Sequence, residues 1–305
     1  MLFPVEVAGF GACIVQRPRA ASGTAAGMFR RSPEPVNLNA SPQSTILPAG
    51  FAPAFATVLA RRLRSRTATL PWSVRAGFWL LPPRCIACGG EGDLGAIDLC
   101  AACLETWPHR AADEPAIAFD YREPVAAALR ALKFDGDRRP ARVLGSLLAL
   151  RIAEFVARRQ TSLPVAIVPI ALHAERLRTR GFDQALMLAT HTGRWLGIPV
   201  RRWLQRTRFT SPQTELDAPA RRRNVRDAFA AAPAAVRALQ RVAASPPLCL
   251  ALLDDVTTTG ATMAAAADAL QAAARAAGVA IEIQCWAVAA TAKSSAMPTN
   301  ITKPM

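Results

Sequence analysis

The sequence predicts an α/β fold with a parallel sheet flanked by helices, preceded by a small element built around four cysteines. From about residue 115, short apolar runs alternate with longer runs of helical periodicity. One of these apolar runs ends in two adjacent acids and a Thr/Gly loop, and two Cys-x-x-Cys pairs lie upstream. Strands that alternate with crossover helices pair in parallel, and helices cover the sheet.

The predicted elements follow from the spacing of apolar residues. We predict strands at 166–170, 198–204, 248–253 and 281–288, and helices at 123–133, 141–159, 183–196 and 262–277. In the helix predicted at 141–159, apolar residues recur every third or fourth position. They are Val143, Leu144, Leu147, Leu148, Ile152, Phe155 and Val156. Gly278 is predicted to end the last helix as its C-cap.

Composition sets broad limits on the class of protein. The 305 residues are 51% apolar, enough for one large domain or two modest ones. The net charge of +15 indicates nucleic acid, an anionic membrane or a phosphorylated small molecule as a partner. However, only three of the 37 basic residues are lysines and alanine is abundant, so compositional bias is the favoured cause of the charge.

Membrane insertion and secretion are both disfavoured. No stretch reaches the roughly 18 uncharged apolar residues that a transmembrane span needs, and Glu6 interrupts the first apolar run. Four of the seven cysteines form two tight pairs, which suggests metal binding in a reducing compartment. We therefore expect a cytoplasmic protein without a membrane span; its oligomeric state is left open.

The chain divides into five predicted regions. Residues 1–54 are expected to be a disordered or extraneous extension, 55–84 a helix or linker, 85–110 the cysteine element, 115–290 the α/β domain, and 291–305 a polar tail. Residues 1–84 contain ten arginines but only two acids. A transit peptide, a basic arm that binds nucleic acid, and upstream sequence translated from too early a start all fit this composition.

Two cysteine knuckles carry the first chemical signal, with candidate ligands Cys85, Cys88, Cys100 and Cys103. Each Cys-x-x-Cys places two thiolates on one side of a tight turn, and two such turns make a tetrahedral site typical of structural zinc. Four cysteines close the ligand shell, so a catalytic zinc is disfavoured. Redox-active pairs and disulfides are the alternatives.

The second signal is the run LALLDDVTTTGAT at residues 250–262. A helix that starts just after a parallel strand presents unpaired N–H groups and the positive end of its dipole. With hydroxyls and a glycine that permits close approach, such a loop cradles a phosphate dianion. The candidate binding residues are Thr257, Thr258, Thr259, Gly260, Ala261 and Thr262.

The acids Asp254 and Asp255 refine this prediction. Two carboxylates beside a phosphate repel it unless they accept hydrogen bonds from vicinal hydroxyls or share a divalent cation. Ribose 5-phosphate offers a cis-diol and a phosphate together. A P-loop would require a Gly-Lys-Ser/Thr ending, and a dinucleotide fingerprint would require further glycines, so neither matches this run.

At these residues the sequence resembles the type I phosphoribosyltransferases and, more narrowly, the ComF family, which joins a four-cysteine zinc element to such a domain. The resemblance covers about residues 80–290, with support at Tyr121, 132–137, 168–170, 176–184, 208–213 and 223–229. It implies a type I phosphoribosyltransferase-like fold that binds phosphoribosyl pyrophosphate (PRPP) with Mg²⁺. Asp254 and Asp255 become the candidate catalytic residues. The family usually has Asn where Asp183 stands.

Three further cations are candidate PRPP contacts. Arg176 and Arg180 are four residues apart and can place two guanidinium groups on one face to clamp pyrophosphate. Their alternative role is a solvated basic face. Lys133 is one of the chain's three lysines and acts on phosphate as a point charge.

Two functions are carried forward. The first is Mg²⁺-dependent transfer of a phosphoribosyl group to an unknown acceptor with loss of pyrophosphate. The second, which the resemblance implies through natural competence, is a non-catalytic DNA-uptake accessory that binds single-stranded DNA or a DNA-handling partner. Eight arginines at 201–226, with Trp203 and Phe209 as stacking faces, suit the second function. Redox chemistry at the Cys-x-x-Cys pairs is a weaker third.

Overall fold

The computed structural model describes residues 83–92, 97–110, 117–159, 161–208, 228–241, 247–291 and 300–301. The predictions for residues 1–82, and for most of the tail after residue 291, lie outside these residues. The strands are β1 Ile117–Asp120, β2 Ala166–Pro169, β3 Leu204–Arg206, β4 Phe229–Ala231, β5 Leu248–Thr257, β6 Ile281–Ala290 and β7 Asn300–Ile301. The helices are α1 Ala101–Thr106, α2 Val125–Phe134, α3 Arg139–Arg159, α4 Ala174–Arg180, α5 Gln184–Leu196, α6 Pro233–Gln240 and α7 Ala261–Ala277.

Four parallel strands form the main sheet, in the order β1-β6-β5-β2. The short β7 pairs antiparallel with the start of β6, and Val200 makes a single parallel bridge to Ile167 of β2. Strands β3 and β4 pair with each other in a separate antiparallel ribbon. Since the four main strands are parallel, their carboxyl ends lie at the same edge, where ligands bind in open α/β sheets.

The sheet has a hydrophobic core on each face, because alternate residues of a strand point to opposite sides. Ala251 and Leu253 of β5 pack with buried residues of α3 and α5, whereas Leu250 and Leu252 pack with those of α7. This gives three layers, with helices on both sides of the sheet. The fold class predicted from the sequence is confirmed.

Helices α3 and α5 pack closely because Gly145 has no side chain. A Cβ at this position would come within 2.8 Å of both His191 Cβ and Leu188 O. The hydroxyl of Thr192 donates a 3.0 Å hydrogen bond to the carbonyl of Gly145 across the same contact. This close contact fixes the position of α5 against α3. The basic helix α4 directly precedes α5 in the chain.

The cysteine element shares its core with the α/β domain. Ile97, Leu99, Leu104 and Trp107 are buried in the same apolar cluster as α3. The buried carboxylate of Asp98 also forms an ion pair with Arg142 of α3. The element is therefore packed onto the domain, while the boundaries predicted for the individual regions remain predictions.

The predicted helices lie within two residues of the observed ends, and Gly278 caps α7 in the left-handed conformation. The prediction of one strand over 198–204 is wrong: this segment provides only the Val200 bridge before β3 begins at Leu204. Strand β5 continues to Thr257, four residues beyond its predicted end, because β6 pairs with it as far as Ala290. The acidic pair therefore lies within the strand.

Among the described residues, no helix has the length and apolar character that crossing a membrane would require.

Candidate functional site

The carboxyl end of β5 holds the two candidate catalytic acids. Asp255 is buried, Asp254 is partly exposed, and the backbone N–H of Asp255 donates a 2.8 Å hydrogen bond to Asp254 Oδ1. Burial and the neighbouring Asp255 carboxylate raise the pKa of Asp254 well above its usual range. The site thus holds a carboxylate whose negative charge is unfavourable in the absence of a ligand.

Lys133, at the end of α2, neutralises the second acid. Its ammonium group forms an ion pair with Asp255 Oδ2, and its side chain is 23% exposed. Burial lowers the pKa of Lys133, but attraction to Asp255 outweighs it and raises the pKa above its ordinary value. The structure therefore brings together two candidates that are 122 residues apart in the sequence (255 minus 133).

Three arginines lie near one another and near the acids. Burial lowers the pKa of Arg180 and Arg206, while Asp255 attracts the first and Asp254 attracts the second. Arg176 is close enough to both guanidinium groups to lower their pKa further. Arg180 also donates a 2.6 Å hydrogen bond to Gln184 Oε1. The candidates Arg176 and Arg180 therefore lie at the same edge as the acidic pair.

Sequence reasoning did not select Arg206 from the other arginines at 201–226. Its guanidinium lies 5.3 Å from the ring centre of Phe229, in the β3–β4 ribbon. No local pattern marks Arg206, since its position depends on pairing between segments that are distant in the sequence. Trp203, proposed as a stacking face, is buried at 8% exposure, so that prediction is wrong. Phe209 lies outside the described residues.

The Thr/Gly loop connects the acids to α7. Thr257 is buried, and Thr258, Thr259, Gly260, Ala261 and Thr262 are partly exposed. Gly260 is the N-cap of α7, with a φ of 73° that favours glycine. Because glycine has no side chain to cap the helix, the first-turn N–H groups have no capping partner from Gly260. This arrangement suits an anion.

Asp183 has a structural role that its carboxylate can fill. Its Oδ1 accepts a 3.0 Å hydrogen bond from Leu186 N at the start of α5, and Oδ2 accepts one of 3.4 Å from Leu172 N. Burial raises the pKa of Asp183, although these N–H groups partly offset it. Both bonds require an acceptor oxygen, and the carboxylate of Asp183 supplies two, whereas the amide of Asn would supply only one.

The four cysteines form a second candidate site. Their sulfur atoms all lie within 4.8 Å of one another, and Cys88 Sγ is 3.9 Å from Cys100 Sγ. The first pair lies on a turn closed by an antiparallel bridge between Arg84 and Glu91, and the second pair begins α1. Among the described residues this is the sole group of three or more candidate metal ligands.

The cluster has the chemistry of a metal site. Burial raises the pKa of Cys85, but N–H groups of Cys88, Cys100 and Ala87 outweigh it and lower the pKa to about 7. Burial and the neighbouring sulfur atoms raise the pKa of Cys103. Four converging sulfur atoms suit a tetrahedral thiophilic ion, and such an ion would favour deprotonation of all four.

Comparison with characterised proteins places the chain in a family. It is 34% identical over 208 residues to competence protein F of Haemophilus influenzae, covering 68% of this chain and 84% of that protein. The chain belongs to the ComF family. A scan against models of protein families gave no match.

Further relatives have names that link them to DNA. The DNA utilization protein YhgH of Escherichia coli K12 is 34% identical over 157 residues, and YhgH of Salmonella typhi is 34% identical over 154. Each alignment covers 50% of this chain and 63% of the relative. The ComF resemblance seen in the sequence is thereby confirmed.

Proposed function

We propose that this ComF protein binds PRPP with Mg²⁺ at the carboxyl edge of its sheet and transfers the phosphoribosyl group to an acceptor. The observation that carries the proposal is the adjacency of Asp254 and Asp255 to the glycine-started helix α7, with Lys133 and Arg180 beside them. The acids can accept hydrogen bonds from the ribose diol, the start of α7 can bind the phosphate, and the cations can bind the pyrophosphate.

In this proposal the 5-phosphate lies against residues 257–262 and accepts hydrogen bonds from their N–H and hydroxyl groups. Asp254 accepts hydrogen bonds from the ribose hydroxyls, which stabilise the carboxylate form that burial and the neighbouring Asp255 disfavour. Asp255 stays paired with Lys133 and holds it at the site.

Chemistry occurs at the anomeric carbon, where the bond to pyrophosphate breaks and positive charge develops on the sugar. Arg176 and Arg180 neutralise the departing pyrophosphate, and the acids lie near the charge that forms on the ribose. Carboxylate oxygens suit Mg²⁺, so Asp254 and Asp255 are the residues that would hold it together with substrate oxygens. When bound, Mg²⁺ supplies neutralisation of pyrophosphate charge.

We also propose that Cys85, Cys88, Cys100 and Cys103 bind a structural Zn²⁺. Four converging sulfurs leave no open coordination position for a substrate or water. The element is packed onto α3, so the ion would stabilise one side of the α/β domain.

Transfer is tested by measuring pyrophosphate release from PRPP and Mg²⁺ across a panel of nucleobases and amines. Acceptor-dependent release that is lost in Arg180→Gln supports the transferase. Asp268→Asn, an exposed site within α7, serves as the control that should retain activity. PRPP binding without release for any acceptor would restrict the function to sensing.

A DNA-handling role is the second candidate, supported by the names of the relatives and the net charge of +15. Single-stranded DNA would bind mainly through phosphate contacts with arginines. Its affinity should then fall steeply with salt, by a log–log slope of about −0.7 per contact. Absence of binding at low salt would exclude it. The two roles are compatible if PRPP binding at the sheet edge regulates DNA handling by the same protein.

A further inference from the structure

Phe134 is an exposed aromatic residue at the rim of the candidate PRPP site. Its side chain is 73% exposed, the highest value for a large apolar residue in the described part of the chain. It directly follows Lys133, whose ammonium contacts Asp255. A single exposed apolar residue needs no explanation by itself. Phe134 is notable because it also lies against the guanidinium of Arg180, beside the candidate site.

Two reciprocal cation–aromatic contacts fix this rim. The guanidinium of Arg180 lies 5.7 Å from the ring centre of Phe134, and that of Arg138 lies 5.2 Å from the ring centre of Phe182. Each contact joins the α2–α3 connection to the α4–α5 region. Phe182 is 9% exposed and therefore packed, so Phe134 is the ring of this pair that can accept a ligand.

The charges around Phe134 favour a polyanion. Arg138 is exposed, and Arg176 and Arg180, four residues apart on α4, are partly exposed. Against them stands the exposed Asp135; the neighbouring Asp137 already pairs with Arg139 at 2.8 Å. The rim thus combines an open aromatic face with excess guanidinium groups, the pairing by which proteins bind single-stranded nucleic acid.

We propose that Phe134 is a stacking platform for a base of single-stranded DNA, with phosphates contacting the arginines of the rim. This rests on the DNA-handling role above and assigns it a site beside the PRPP contacts, with Arg176 and Arg180 common to both. The high exposure of Phe134 favours DNA over a small-molecule acceptor as the ligand. Sites for small molecules enclose most of their ligand, whereas single-stranded DNA can lie across an exposed ring. DNA on this rim would adjoin PRPP.

The test is fluorescence-anisotropy binding of an oligothymidylate of about 16 nucleotides to the full chain at low salt. Phe134→Leu removes the aromatic face while keeping an apolar side chain, and should weaken binding about 5- to 100-fold. Phe134→Trp should restore or strengthen binding. The salt slope should not change in Phe134→Leu, because no phosphate contact is lost.

Val165→Ala is the matched control. Val165 is an exposed apolar residue, at 40% exposure, and it precedes β2 at the opposite edge of the sheet from the site. DNA affinity should stay unchanged in this variant. Equal affinity of wild type and Phe134→Leu, equal weakening by both substitutions, or no DNA binding by wild type would each overturn the proposal.

PRPP titration of the same protein preparations separates the two proposals. Phe134→Leu should retain PRPP binding with Mg²⁺, because every side chain assigned to PRPP is unchanged in it, including Arg180 beside the ring. If wild type binds DNA through Phe134 but binds no PRPP, the PRPP function fails and the stacking platform stands. If wild type binds PRPP and the DNA result is negative, the reverse holds.

Discussion

The cysteine element and the carboxyl edge of the sheet both concentrate ionisable groups, but they organise them differently. In the element, four sulfur atoms converge on one another within 4.8 Å. At the carboxyl edge of the sheet, by contrast, opposite charges meet, because Asp255 forms an ion pair with Lys133. The cysteine element is thus suited to binding a metal ion that would hold its four sulfur atoms together. At the sheet edge the charges are already paired within the chain, except that the negative charge of Asp254 is unfavourable there and would be stabilised by a ligand.

The largest effect should follow from breaking the cysteine cluster. Cys85→Ser, or removal of metal with a strong chelator, should destabilise the protein by more than about 3 kcal/mol, because structural zinc contributes folding free energy directly. Thermal unfolding together with metal content per chain measures this. Trp107, buried in the shared core, should show changed fluorescence.

Cys249→Ser is the control for this prediction, since Cys249 lies in β5 and outside the cluster. It should retain the full metal content. If Cys85→Ser leaves metal content and melting temperature unchanged, the cluster binds no structural ion and the contrast between the two regions fails.

At the edge, Asp255→Asn should destabilise the chain by about 1–3 kcal/mol. The substitution leaves the mostly buried ammonium of Lys133 without its partner, and an uncompensated buried charge is costly. Urea denaturation at neutral pH measures the change in unfolding free energy. A stability equal to that of wild type would mean that Lys133 readily finds water or another partner.

Asp254→Asn should have the smaller and opposite effect, stabilising the ligand-free chain by about 1 kcal/mol. Its raised pKa means that the folded state binds more protons than the unfolded state between the two pKa values. Wild-type stability therefore falls as pH rises through that window, and the variant should lose this dependence. Urea denaturation across pH tests it. A destabilised Asn variant would contradict the conclusion that the negative charge of Asp254 is unfavourable in the folded chain.

Sequence alone predicted the parts of the fold governed by local pattern. The periodicity of 141–159 predicted α3, and the apolar run before Asp254 predicted β5, because burial of these faces is encoded residue by residue. The end of β5 was missed, since its extension depends on pairing with β6. The β3–β4 ribbon was missed for the same reason, and with it the position of Arg206.

The candidate site shows the same division. The acids and the Thr/Gly loop are adjacent in sequence, so their order alone predicted a phosphate and diol site. The ion pair between Lys133 and Asp255, and the exposure of Phe134, arise where α2 meets the sheet edge. Such contacts between distant segments leave no local signal in a single sequence.

The most direct test of the central claim is isothermal titration of PRPP with Mg²⁺ into wild type and Asp254→Asn. The Asn variant is expected to be at least as stable as wild type, so a change in affinity reports on the site and not on unfolding. Asp268→Asn, the same change of charge at an exposed position of α7, is the control and should bind as wild type does. The account predicts PRPP binding by wild type and a loss of about tenfold or more in Asp254→Asn. Equal affinity in the two proteins, or no binding by wild type, would contradict it.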